Sequence, residues 1–226
     1  MKNEILLIIT LFVEYSLVVI AYKYFGKVGL YAWMALATVL ANIEVLILVD
    51  AYGIEMTLGN ILFATTFRVT DILSEVHGKE AAKKGVSIGI ASSVLFMIIS
   101  ASWLMYIPSK NNVTTEAFKG LFGYTPRIVI SSLVVFVLVQ YLDVWLYHKV
   151  WKVTTKGYSR KSLWMRNNCA TITSQIINAI LYNLLAFGGI YPKDTIVSII
   201  IATVAIYIVT SIADTPFIYL ARKIGS

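Results

Sequence analysis

Charge is scarce in this chain. Asp, Glu, Lys and Arg make up 14% of it, against about 25% in ordinary soluble domains. That shortage excludes two classes at once. A chain that is 58% apolar does not stay solvated as a disordered polymer. A soluble domain of this size would also lack the polar groups to cover its surface. Cysteine is nearly missing: Cys169 is alone, so an internal disulfide is excluded and a cysteine-based metal site with it. Cys169 reads as a small hydrophobe. There is no G-x-x-x-x-G-K-[ST], hence no ATPase within the chain, and no H-E-x-x-H or G-x-S-x-G. His77 and His148 lie far apart, each near a loop, and neither reads as a ligand. A retinal protein would need a lysine in the middle of the last helix, and Lys193 and Lys223 only flank it. No A-x-A cleavage pattern comes after the first apolar run, where Glu4 and Glu14 soon succeed Lys2. The N-terminus therefore reads as a retained first helix.

What is present is membrane-spanning sequence. In 226 residues, apolar runs fall at 4–24, 29–50, 84–107, 126–150, 166–189 and 195–220. Each is long enough to cross a bilayer, which takes about 20 apolar residues, and in lipid such segments must be helical. The reading is an all-α polytopic membrane bundle forming one domain over 1–226. It has six long transmembrane helices plus a short polar helix, 57–76, that spans or re-enters. The net charge of +7 reflects cytoplasmic loops, which collect Lys and Arg, and not nucleic-acid binding. The segment 149–166 carries Lys149, Lys152, Lys156, Arg160, Lys161 and Arg166; Lys79, Lys83 and Lys84 come after the short helix; Arg222 and Lys223 end the chain. All are expected inside, with Lys23 and Lys27, whereas Asp50 and Glu55 fit outside. These signs alternate when 57–76 crosses, giving seven crossings, an outer N-terminus and a cytoplasmic C-terminus. A re-entrant 57–76 gives six crossings and both termini inside. The loop 108–125 is the longest outer connection. Val69-Thr70-Asp71-Ile72 and Val209-Thr210-Ser211-Ile212 echo one another too briefly to be a repeat.

Function is sought in polar side chains at membrane depth, where an ionisable one costs roughly 2.5–3.5 kcal/mol to insert at the centre. At 100° per residue, Asn60, Ala64, Phe67, Arg68, Asp71, Ser74 and Glu75 share one stripe of the short helix. Arg68 can compensate one carboxylate and leave the other for a ligand; the bland alternative is an internal salt bridge. Gln140, Asp143 and Tyr147 share a face, where Asp143 either meets a ligand or pairs with Lys149 or Arg166. Asn168, Thr171, Gln175, Asn178 and Tyr182 line one side of the next helix, with Trp164 just before. They read as helix glue or as a pocket whose amides donate and accept. The last helix aligns Thr203, Tyr207, Thr210 and Asp214, ahead of Pro216, which reads as a kink or as a carboxylate at a gate. Glu44 shares a stripe with Ala37, Ala41 and Leu48, and both Glu14 and Glu44 are expected to pair across helices, a proton-binding site being the alternative for either. Trp33, Trp103, Trp145, Trp151 and Tyr191 fit an interfacial belt. Phe67 and Trp164 are the stacking candidates for a flat ligand.

Several of these segments carry a resemblance. Thr57-Leu58-Gly59-Asn60, Thr70-Asp71-Ile72-Leu73-Ser74-Glu75-Val76-His77-Gly78-Lys79, Trp164-Met165-Arg166-Asn167-Asn168 with Ser174-Gln175, and Asp214-Thr215-Pro216-Phe217 resemble, in order, the motifs of the queuosine-precursor transporter family, also called vitamin-uptake transporters. The resemblance implies import of a 7-deazaguanine base across the cell inner membrane: the 7-cyano or 7-aminomethyl compound, or queuine. The expected contacts are Asn60, Phe67, Arg68, Asp71, Glu75, Gln140, Asp143, Trp164, Asn168, Gln175, Asn178 and Asp214. Asp71 and Glu75 would accept N–H groups or an aminomethyl cation. Expected partners are a small modified purine and the bilayer, with no cofactor, no metal and no nucleic acid; a homodimer is allowed. A second reading is the substrate-binding membrane subunit of an energy-coupling-factor importer, which would need a separate ATPase. A third, an intramembrane enzyme using Asp71 and Glu75 with a metal, lacks a second acidic motif.

Overall fold

The first helix in the computed structural model, α1 (Lys2–Glu44), is 43 residues long. At 1.5 Å per residue it would reach about 65 Å, roughly twice a bilayer core. It does not run straight. Gly26 takes φ 55° and ψ −143°, a conformation that only glycine adopts without strain, and the chain doubles back there. A Cβ at Gly29 would run into the carbonyl of Ala21, eight residues earlier, so the two legs leave the bend almost in contact. At the other end, Asn3 Nδ2 donates to the carbonyl of Asp50 at 2.9 Å. The legs 2–25 and 27–44 are thus antiparallel, and the start of the chain lies beside the segment just past the second leg.

The structure describes residues 2–45, 47–109, 112–122, 126–155 and 162–225. The expected loop lysines Lys156 and Lys161 and Arg160 lie outside these residues, as do 110–111 and 123–125 of the outer loop.

The apolar run 29–50 is not one helix, contrary to expectation. Helix stops at Glu44 and gives way to a two-stranded antiparallel hairpin, β1 (Leu48–Ala51) with β2 (Ile54–Thr57), in register Ala51↔Ile54. Tyr52 and Gly53 join them with φ of 53° and 74°, the positive pair that a tight hairpin turn demands. Leu48 therefore leaves the helical stripe proposed for Glu44. These are the only strands among the described residues; otherwise the architecture is helical, as expected.

Next come α2 (Gly59–Ile72) and a π-helical turn, Leu73–His77. Gly59 starts against the end of the second leg, where a Cβ would sit 2.8 Å from the amide of Val45. The turn ends against the α1 bend, where Tyr22 and His77 lie within hydrogen-bonding distance at 3.2 Å. Segment 59–77 therefore runs from one end of the bundle to the other. α3 (Lys79–Trp103), the short α4 (Thr115–Phe122), α5 (Pro126–Thr155), α6 (Leu163–Phe187) and α7 (Lys193–Gly225) complete the chain. Helix α7 continues through Pro216. Among the described residues, five helices are long and apolar enough to cross a membrane: α1, α3, α5, α6 and α7.

Burial is inverted relative to a soluble protein. Helix α2 is wrapped by the others and almost wholly buried, with Arg68 and Asp71 fully so. Ile98, Ile201 and Val209 on surrounding helices are more than 60% exposed. Lipid solvates such side chains, whereas polar groups in lipid must find partners within the protein.

Candidate functional site

A column of buried polar side chains runs beside α2 along the bundle. It begins near the hairpin at a cavity of about 90 Å³ reached by Asn42 of α1, Asn60 and Phe63 of α2, Asn178 and Tyr182 of α6, and Tyr207 of α7. Asn178 Nδ2 donates to the Tyr207 hydroxyl at 3.3 Å, and that hydroxyl donates to Asn60 Oδ1 at 3.4 Å. The wall thus presents amides and a phenol beside the ring of Phe63. Of the expected contacts, Asn60 and Asn178 face this space.

Below the cavity the column is closed. Gln140 Nε2 donates to Thr66 Oγ1 at 2.6 Å, while the amide oxygens of Gln140 and Gln175 are buried and unpartnered. Arg68 makes its ion pair with Asp214 and not with Asp71, its neighbour one turn away. Its Nε donates to Asp214 Oδ1, its Nη2 donates to the Asp214 carbonyl at 3.3 Å, and its guanidinium lies 3.3 Å from the Tyr15 ring centre and 4.5 Å from that of Phe217. Tyr15 is itself held by its hydroxyl, which donates to the carbonyl of Thr210 at 3.1 Å. A guanidinium suits this position because it is planar, stacks on rings and donates in two directions. Asp214 therefore joins α7 to α2.

Asp71 and Asp143 come next, both fully buried. Asp71 Oδ2 accepts from Thr171 at 2.8 Å and Asp143 Oδ2 from Thr70 at 3.3 Å. Their Oδ1 atoms have no partner. Asp143 pairs with neither Lys149 nor Arg166, the ion pairs considered from sequence.

The far end is a tight ionic knot on the π-turn. Glu75 accepts from Arg166 at 2.6 Å on Oε1 and at 2.9 Å on Oε2, and from the Tyr147 hydroxyl at 2.8 Å. Arg222 approaches within 3.5 Å, and the Arg166 guanidinium covers Trp151 at 4.4 Å from the ring centre. Both Arg166 and Glu75 are buried. Glu75 therefore stands apart from Asp71, with both its oxygens taken by the knot. The extra residue of the π-turn also shifts the helix face after Ile72, which 100° periodicity could not anticipate.

The remaining expected contacts are placed differently. Asn168 binds helices together: its Nδ2 donates to Thr215 Oγ1 at 2.8 Å, and Ser211 approaches its Oδ1 at 3.4 Å. Phe67 is buried against Val135 and Val139, edge-on to Phe63 at 5.5 Å, so it backs the pathway without presenting a face to it. Trp164 points outward, 56% exposed, and is no stacking platform for the column. Glu14 has a buried unpartnered Oε2 with Glu44 as a charged neighbour; neither carboxylate has a cross-helix ion pair among the described residues. Trp33 reaches inward, its Nε1 donating to Thr65 at 2.9 Å.

Sequence reasoning misses five participants. Arg166 reads in sequence as part of the basic loop, and the one signal of its burial is its place directly before two asparagines on a polar stripe. Tyr15 sits between Glu14 and Ser16, but nothing in its spacing marks it as a ring for the Arg68 guanidinium. Tyr182 and Tyr207 lie on polar stripes in the sequence but are not among the expected contacts. Asn167 is fully buried with both amide atoms unpartnered, a rarity in native structures.

Comparison with known proteins fits this picture. Residues 57–221 match the model of the family described as "Putative vitamin uptake transporter". The chain is 34% identical over 211 residues to the "Probable queuosine precursor transporter" of Bacillus subtilis (strain 168), covering 93% of this chain and 91% of that protein. No solved structure matches the chain.

Proposed function

The chain belongs to the vitamin uptake transporter family, and from that membership we propose that it imports a queuosine precursor by alternating access. The cargo is a 7-deazaguanine base: the 7-cyano or 7-aminomethyl compound, or queuine. The observation that carries this reading is the cavity where Asn60, Asn178 and Tyr207 meet beside Phe63. A guanine-like edge carries donors and acceptors side by side. Amides and a phenol match both kinds, and an aromatic ring packs against the flat base. Gln140, Gln175 and Arg68 lie next along the route and meet the base as it moves inward.

The proposed topology has seven crossings. The legs 2–25 and 27–44 count as two, 59–77 as the third, and α3, α5, α6 and α7 as the rest. Lys23, Lys27, Lys79, Lys83, Lys84, Lys149, Lys152, Arg222 and Lys223 then share one end, which is cytoplasmic by the positive-inside rule. The C-terminus lies inside and the cavity opens toward the outside. The knot of Glu75, Arg166 and Tyr147 closes the inner end. Rocking of helices about the buried α2 would exchange which end is shut.

Purified chain in vesicles without ATP should take up a labelled 7-deazaguanine base. Asn178→Ala and Asn60→Ala should each lose hydrogen bonds worth about 1–3 kcal/mol, lowering apparent affinity by roughly 5- to 150-fold at unchanged expression. Uptake that requires an added ATPase and scaffold would replace this reading with the energy-coupling-factor subunit. Binding of other vitamins in preference to deazaguanines would replace the cargo.

A further inference from the structure

Among the described residues, the fully buried ionisable side chains at the heart of the bundle do not balance. Four carboxylates (Asp71, Glu75, Asp143 and Asp214) stand against two guanidiniums, Arg68 and Arg166. Asp214 holds Arg68 and Glu75 holds Arg166. Asp71 and Asp143 are left over, and they are neighbours: the Thr171 hydroxyl lies against both carboxylates, and each feels the charge of the Asp214 carboxylate. Two uncompensated charges at membrane depth are costly unless something positive joins them.

Among the described residues, the surroundings supply mostly oxygen, and the one guanidinium that reaches Asp71 electrostatically, Arg68, has its ion pair with Asp214 and keeps only a buried Nη1 without a hydrogen-bond partner. Thr171 comes from α6, and Thr70 from α2. Ser174, also on α6, is fully buried, lies against Asp143, and has an Oγ with no geometric partner. The Oδ1 atoms of Asp71 and Asp143 are likewise buried and unpartnered. The charged and titratable groups facing the pair are Arg68 on α2, already committed to Asp214 of α7, and Tyr147 on α5, which points its hydroxyl at Glu75. Carboxylate and hydroxyl oxygens suit a hard cation, and two adjacent carboxylates also share a proton readily.

We propose that Asp71 and Asp143, with the hydroxyls of Thr70, Thr171 and Ser174, form a binding site for one monovalent cation, H⁺ or Na⁺, whose occupancy couples cargo movement to an ion gradient. The coupling rests on the transport reading above; the site itself does not. The site lies between the outer cavity and the inner knot, so it senses which end is open. Filling it removes the repulsion between α2 and α5 and favours their close approach.

The first test needs no cargo. The melting temperature of the full-length purified protein is compared in NaCl and choline chloride at equal ionic strength. Proton uptake after a pH jump is read with a dye in weak buffer. One of the two signals should appear and should be lost in Asp71→Asn and in Asp143→Asn, but not in the surface variant Asp194→Asn. Ser174→Ala, which keeps both carboxylates, should shift the midpoint of that signal. Absence of both signals, or their survival in both carboxylate variants, overturns the site.

The second test uses vesicles and 7-cyano-7-deazaguanine under an imposed pH or Na⁺ gradient. With one cation per cargo, a tenfold gradient drives about tenfold accumulation, and Asp143→Asn should bring it to about equal concentrations. The gradient that works identifies the ion. Accumulation indifferent to both gradients overturns the coupling. A cation signal in the first test, without movement of any deazaguanine in the second, supports the site and sinks the cargo assignment instead.

Discussion

Arg68 illustrates what one buried side chain does here. It reaches across from α2 to both the side chain and the backbone of Asp214, and two aromatic rings cover its faces. Removing one partner of such a pair leaves the other charge buried and alone, which costs about 3–5 kcal/mol. Arg68→Ala should therefore lower the melting temperature of the detergent-purified protein sharply. Asp214→Ala in the same chain should restore part of the loss, and a double-mutant cycle on thermal stability reads this directly. Arg68→Lys should not rescue, because an ammonium cannot donate from a planar fork while stacked on Tyr15. The sequence placed Arg68, Asp71 and Asp214 at membrane depth, but it paired Arg68 with the wrong carboxylate. Spacing along one helix reports which side chains share a face, not which helix that face will meet.

At the scale of elements, the bend in α1 and the π-turn after α2 fix the geometry. A Cβ at Gly26 would meet nothing within 4 Å, so any cost of substitution there is backbone strain alone, of order 1–3 kcal/mol. Gly26→Ala should destabilise by about that much, read as a drop in thermal stability. A crosslink between cysteines introduced at Asn3 and Asp50 should form less readily in that variant, because their contact depends on the reversal. The π-turn places Glu75 between Arg166 and Tyr147. Glu75→Gln should weaken the inner knot and raise the reactivity of a cysteine introduced nearby toward a membrane-impermeant reagent added from the cytoplasmic side. Unchanged reactivity would remove the knot from the closing of that end. Neither device was legible beforehand. The run 29–50 is apolar throughout, so hydropathy continues smoothly past the point where helix gives way to the hairpin that Tyr52 and Gly53 turn back. A π-turn has no compositional mark in Leu73-Ser74-Glu75-Val76-His77.

At the scale of the whole molecule, apolar residues face outward and a charged column runs through the middle. That arrangement is stable only where lipid replaces water around the bundle. The two termini lie at opposite ends, Asn3 beside the hairpin and Gly225 beside Tyr22 and Val76. Impermeant maleimide applied to intact cells should therefore label Asn3→Cys but not Lys223→Cys, in a Cys169→Ser background. Labelling of both or of neither would fit six crossings.

The sequence by itself determined the membrane setting, the helical class, the family and the helix faces that carry polar groups. Each of these comes from composition, motif or local periodicity, which hydropathy and the 3.6-residue repeat express directly. Only the tertiary structure decided that Arg68 belongs to Asp214, that Arg166 is buried on Glu75, that Trp164 faces outward, and that Asp71 and Asp143 stand together without an ion pair of their own. Those outcomes depend on which faces of distant segments meet. Partner choice in a low-dielectric interior is set by distances of a few ångströms between helices, and the order of residues along any one of them does not encode it.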